Sequence, residues 1–150
     1  MARIGWDEYF IKIAKDVAER SNCVSRKVGA VITFDNMIVS TGYNGAPKGL
    51  RHCEDSEGCL RKINKIESGT RQEICRAVHA EQNAIIQAAV RGTKIQGGTL
   101  YVNTYPCSIC ARMIINAEIK RIVYDSDYND VLSTEMLNET GIELVKFSNK

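Results

Sequence analysis

The sequence predicts an α/β fold: a three-layer α/β/α sandwich built on one mixed five-strand sheet. Two patterns carry that prediction. Segments whose apolar residues recur at spacings of three and four alternate with short β-branched runs, and after His79 the alternation becomes regular, as a sheet with parallel neighbours covered by helices requires. Earlier, two β-branched runs are separated only by Asp35-Asn36, a hairpin signal, so the sheet must also contain antiparallel strands.

Taken in order, Trp6, Tyr9, Phe10, Ile13, Ala14 and Val17 line one face of a helix from about Trp6 to Arg20, ended by Ser21-Asn22. Val28–Thr33 and Met37–Tyr43 are the hairpin strands. From Asn44 to about Arg76 the chain is rich in Gly, charge and cysteine and has no clean period. It reads as an irregular insertion, at about 45–76, with at most a short helix near Cys59–Ile66. A loop of that length inside a compact domain needs something to pin it, such as a metal. An apolar helix His79–Val90, a strand Thr99–Asn103, a helix from about Ser108 to Asn116 and a strand Arg121–Tyr124 follow. A last helix, Asn129–Glu139, ends at Gly141 in the left-handed conformation, and Ile142–Phe147 closes the sheet. The order places His79 and Cys107 at the starts of neighbouring helices, where free N–H groups and positive helix ends favour thiolate and hydroxide.

Bulk properties narrow the function. A chain of 150 residues fits one domain, 1–150. A hydrophobic fraction of 44% and a charged fraction of 25% are ordinary for a globular protein. The net charge of +2 is too small for a surface that coats nucleic acid, so a small ligand is expected and a polymer is not. No apolar h-region opens the chain and no apolar stretch approaches the ~18 residues of a membrane span, so a cytoplasmic location without membrane contact is expected. In that compartment six cysteines read as metal ligands, not disulfides.

The chemistry lies in His79-Ala80-Glu81 and Pro106-Cys107-Ser108-Ile109-Cys110. Zinc takes imidazole nitrogen and thiolate sulfur, and a catalytic site keeps three protein ligands so that water can fill the fourth position. His79, Cys107 and Cys110 make three. Bound water then loses its proton near pH ~7 instead of about 15.7, and Glu81, two residues past the histidine, can move that proton. Either half alone would equally suit a structural knuckle or a packed histidine. Their conjunction does not, because a closed site needs a fourth soft ligand and gives an acid beside the histidine no task. Together they match the signature of the zinc nucleobase deaminases.

With Arg26–Ile32, Thr41-Gly42-Tyr43-Asn44-Gly45-Ala46-Pro47, His79–Ile85 and Pro106–Ala111 taken together, the chain resembles the deoxycytidylate deaminases of the cytidine-deaminase superfamily over about Ser21–Asp127. That resemblance implies a cytidine-deaminase-like fold and zinc-dependent conversion of dCMP to dUMP and ammonia, supplying dUMP for dTMP synthesis. It implies that Asn44 bonds the sugar, that Glu81 is the proton shuttle, that the Ala80 backbone touches the pyrimidine and that Tyr128 lies over the base. It further implies a homo-oligomer, a hexamer in most relatives, activated by dCTP and inhibited by dTTP. The triphosphate and its Mg2+ would bind near Tyr43, Gly45, Lys48 and Gly49. On charge alone, Arg26, Lys27, Lys48 and Arg51 are available for a phosphate.

Cys23, Cys53, Cys59 and Cys75 remain, with His52 beside Cys53 as an alternative ligand, and four cysteines suffice for a closed second zinc site tying the insertion to the catalytic helix. Some relatives carry a structural zinc on cysteines matching Cys23 and Cys53. Two rival functions stand beside the main one: a deaminase of another cytosine or adenine substrate, free or in RNA, and a non-catalytic zinc-stabilised binding module.

Overall fold

The computed structural model describes residues 2–68 and 70–148. Helix α1 (Trp6–Ala18) leads into strands β1 (Gly29–Phe34) and β2 (Met37–Tyr43). Asp35 and Asn36, with φ of 50° and 59°, make the tight turn between them, a conformation Asn and Asp tolerate better than most residues. The insertion holds one short helix, α2 (Leu60–Ile63), and two single 3₁₀ turns. Helix α3 (Ala80–Arg91), strand β3 (Thr99–Thr104), helix α4 (Ser108–Asn116), strand β4 (Arg121–Ser126), helix α5 (Val131–Thr140) and strand β5 (Glu143–Lys146) complete the order. The first helix stops two residues short of the sequence expectation, and Gly92 and Gly141, with φ of 67° and 75°, end α3 and α5.

The strands lie in the order β2-β1-β3-β4-β5, with β1 antiparallel to β2 and β3, and β3, β4 and β5 mutually parallel. The mixed five-strand α/β sandwich is therefore present. Its register aligns Val31, Tyr101, Val123 and Val145 across one face, where Phe10, Ile11 and Ala14 of α1 cover them. Ile32, Leu100, Ile122 and Leu144 align on the other, beneath α3, α4 and α5. The period of two along each strand separates these sets, so one helical layer is α1 alone and the other holds three helices.

Two glycines set how closely helices approach the sheet. A Cβ at Gly29 would run into the backbone of Ala14 and Ala18, and a Cβ at Gly42 into that of Ala80, Asn83 and Ala84. Helix α3 thus rests on bare β2 backbone, which fixes the height of its first turn.

Candidate active site

His79 and Cys107 are the N-cap residues of α3 and α4, and Cys110 lies one turn into α4. Each ligand is held by short-range bonds. The Gln82 side chain accepts the His79 N–H at 2.8 Å, and Val78, the residue before, exchanges two backbone bonds with Gly45 at 2.8 and 3.1 Å. On the α4 side, Asp130 accepts from the N–H of Ser108 at 2.8 Å and from that of Ser133 at 3.0 Å, capping α4 and α5 with one carboxylate. Ser133 donates to the Pro106 carbonyl at 2.7 Å.

The result brings one imidazole and two sulfurs together. His79 Nδ1 stands 3.2 Å from Cys110 Sγ and 3.4 Å from Cys107 Sγ, and all three donor atoms lie within 4.8 Å of one another. With bonds of about 2.3 Å to sulfur and ~2.0 Å to nitrogen, a tetrahedral zinc separates such donors by roughly 3.5 Å. The residues therefore fit zinc in both chemistry and spacing. The Cys110 thiol and the His79 ring hold Cys107 as a thiolate, its pKa down at about 4, while bonding to Cys107 raises both Cys110 and His79.

Glu81 is 3% exposed, in the first turn of α3 beside these sulfurs. Burial, and then the charge of Cys107, push its carboxyl up to about 7. A carboxyl near neutrality can both accept and return a proton at physiological pH.

A cleft of about 150 Å³ opens over His79, Glu81 and Cys107. Asn44, Ala80, Arg26 and Tyr128, all expected at the substrate, line it. Asn44 also braces the scaffold. Its Oδ1 accepts from Ser21 at 2.6 Å and from the Val28 N–H at 2.9 Å, and its Nδ2 donates to the Arg26 carbonyl at 2.8 Å, leaving one N–H for a ligand. The Arg26 guanidinium lies 5.7 Å from the centroid of the Tyr128 ring, and the Tyr128 hydroxyl accepts from Gln72 at 2.9 Å. Lys27, Lys48 and Arg51 do not line the cleft; Lys27 lies instead 4.0 Å from Glu19.

Arg61, Gln72 and Thr104, which no sequence motif marks, also line the cleft. Arg61 and Gln72 belong to the aperiodic insertion, where no spacing says which side chains turn inward. Thr104 ends a strand three residues before Cys107, and that proximity was the one available signal.

The other four cysteines converge without closing. Cys53 senses the charges of Cys23, Cys75 and Cys59, and Cys75 those of Cys23 and Cys59. Among the described residues, however, His79, Cys107 and Cys110 form the single set of three or more donors within 4.8 Å. Cys23 Sγ accepts the N–H groups of Ser25 and Arg26 at 3.4 and 3.3 Å, and His52 Nδ1 is buried without a protein partner. Of the expected effector residues, Tyr43 closes β2, Gly45 forms the bridge with Val78, the residue before His79, and Lys48 and Gly49 follow in the chain, Gly49 with a left-handed φ of 87°.

Comparison with known proteins agrees with the geometry. Residues 4–126 match the cytidine and deoxycytidylate deaminase zinc-binding region. The chain is 40% identical over 131 residues to the deoxycytidylate deaminase of Mycobacterium phage D29, covering 85% of this chain and 99% of that one. It is 39% identical over 149 residues to the Saccharomyces cerevisiae deoxycytidylate deaminase, covering 99% of this chain and 46% of the relative, so it spans about half of that protein's length. The crystal structure of the cyanophage S-TIM5 dCMP deaminase with dCMP and dUMP superposes with a TM-score of 0.80 at 27% identity, over 98% of this chain and 100% of that one. A histidine and two cysteines set for zinc, a buried glutamate beside them and these matches along nearly the whole chain make it a member of the cytidine and deoxycytidylate deaminase family.

Proposed function

We propose that the protein hydrolyses the 4-amino group of dCMP, giving dUMP and ammonia and so supplying dUMP for dTMP synthesis. The observation that carries this reading is the buried Glu81 carboxyl beside the His79, Cys107 and Cys110 donors at the floor of a cleft with Asn44 and Tyr128 in its walls. Zinc on those three donors supplies a Lewis acid that makes water acidic near neutral pH. Glu81 takes a proton from the attacking water and passes it to the pyrimidine N3; it then takes the remaining proton of the hydroxyl added at C4 and gives it to the departing amine as the C4–N bond breaks and the carbonyl forms. One water enters and one ammonia leaves, so no reductant or nucleotide cofactor is needed. Tyr128 stacks on the base, the Ala80 backbone meets its edge, and the remaining Asn44 N–H bonds the sugar. Exclusion of bulk water from Glu81 keeps its proton committed to the substrate. Incubating the zinc-loaded protein with dCMP tests the reading: dUMP and ammonia in equal amounts support it, and their absence overturns it.

Two finer readings accompany it. Cys23, Cys53, Cys59 and Cys75, with His52 as the alternative ligand, would hold a second, structural zinc. The backbone N–H groups aimed at Cys23 are the kind of bonds that steady a thiolate. The loop carrying Tyr43, Gly45, Lys48 and Gly49 would take dCTP or dTTP with Mg2+, in a homo-oligomer, a hexamer. Support comes from the Gly45–Val78 bridge, which ties that loop to the residue before His79, so a shift there moves the catalytic helix. Opposite effects of dCTP and dTTP at subsaturating dCMP are expected; unmoved hyperbolic curves would remove the regulatory reading.

A further inference from the structure

Two guanidinium groups line the cleft, and the fold accounts for only part of one of them. Arg61 lies on α2 with its Nε buried and without a hydrogen-bond partner, and its one bond runs from Nη2 to the Glu67 carbonyl at 3.3 Å. A guanidinium offers five N–H donors in a planar fork, and a buried donor left unpaired is costly. Among the described residues neither Arg61 nor Arg26 has an acidic partner within 4.0 Å. Both line the same cleft as Tyr128, whose ring carries Arg26 on its face. Glu81 is the one acidic residue in the lining, and it lies at the floor among the donors.

We propose that Arg61 determines specificity: with Arg26 it takes the 5′-phosphate of the substrate, so that the enzyme selects the nucleotide over the nucleoside. The inference rests on the dCMP reading above. With the pyrimidine held at Glu81, a cleft that carries two unpaired cations can accept a group of nearly two negative charges, and a planar fork meets phosphate oxygens two at a time. The phosphate supplies acceptors for the donor that the fold leaves empty. Arg61 sits on the insertion, so this assigns that segment a share of substrate selection.

The test is the ratio of kcat/KM for dCMP over that for deoxycytidine, read with zinc content. Arg61→Gln should lower the ratio about 10- to 100-fold, the value of one charge-assisted hydrogen bond, with zinc per chain unchanged. Arg61→Lys, which keeps the charge and loses the fork, should fall between. An unchanged ratio overturns the proposal. So does loss of zinc from Arg61→Gln, which would make the guanidinium a partner of the cysteine thiolates. Should the wild type release no ammonia from either substrate, the dCMP reading fails. Arg61 is then judged by equilibrium binding of inorganic phosphate, where at least tenfold weaker binding to the variants supports the proposal and equal binding overturns it.

Discussion

Gly42→Ala should loosen the catalytic helix without touching a ligand. The added Cβ would stand 2.9 Å from Asn83 C and closer still to Ala80 O and Ala84 N, all of them α3 backbone. Ordinary carbon contacts begin near ~3.5 Å, so α3 must retreat from β2 by about 1 Å. Overpacking of this kind costs about 1–3 kcal/mol, and backbone cannot rotate away as a side chain could. The same retreat carries His79 and Glu81, at the head of α3, off the Cys107 and Cys110 sulfurs, and a ~1 Å misplacement of reacting groups costs on the order of 10²-fold in rate. Urea unfolding gives the first number and dCMP turnover the second. Gly5→Ala, whose Cβ meets nothing within 4 Å, is the control and should stay within about 0.5 kcal/mol of wild type. A Gly42→Ala protein with wild-type stability and turnover would refute the claim that β2 sets the height of the catalytic helix.

Asp130→Ala removes the caps of both α4 and α5 and should cost about 1–2 kcal/mol in urea unfolding, whereas a loss below about 0.3 kcal/mol would show the caps to be replaceable. Asp7 accepts two bonds from Arg121, at 2.9 and 2.7 Å, and one from Tyr101 at 2.8 Å, and the Arg121 bond first of all holds its carboxyl below the usual carboxylate range. A pKa lower in the folded state than in the unfolded one stabilises the fold above the unfolded value of about 3.9, and that contribution is lost as pH falls through the folded value. Asp7→Asn should therefore lower Tm at neutral pH, with the gap to wild type closing below about pH 3.9; a gap that stays constant with pH would contradict the assignment. Metal analysis should return two zinc ions per chain, with Cys59→Ser and Cys75→Ser each losing one of them and stability before chemistry. One zinc in the wild type, unchanged in both variants, would remove the second site.

The zinc ligands were legible in the sequence because each stands within four residues of the start of a periodic helix, so spacing along the chain translates into position. The strand and helix order was legible for a related reason: β-branched runs such as Val28–Thr33 and the three-four spacing of α1 are local signals. The insertion gave no such signal. Its order comes from long-range bonds, Gly45 to Val78, Arg76 to the Arg51 carbonyl and Gln72 to Tyr128, that no window of sequence contains. Arg61 lies in that segment, while Lys48 and Arg51, to which charge and nearness in sequence point, lie outside the cleft lining. The role of Asp130 at α4 leaves no local signal, because its bond to Ser108 spans 22 residues and belongs to a helix other than the one it precedes.

The central claim is that Glu81 moves the proton while His79, Cys107 and Cys110 hold the metal, and Glu81→Gln separates the two. The amide keeps size and hydrogen bonding but cannot carry a proton. Zinc content and dCMP turnover measured on the same zinc-loaded samples should show the metal of the three donors retained and turnover reduced by at least ~10²-fold. Turnover near the wild-type value with that zinc in place would contradict the account.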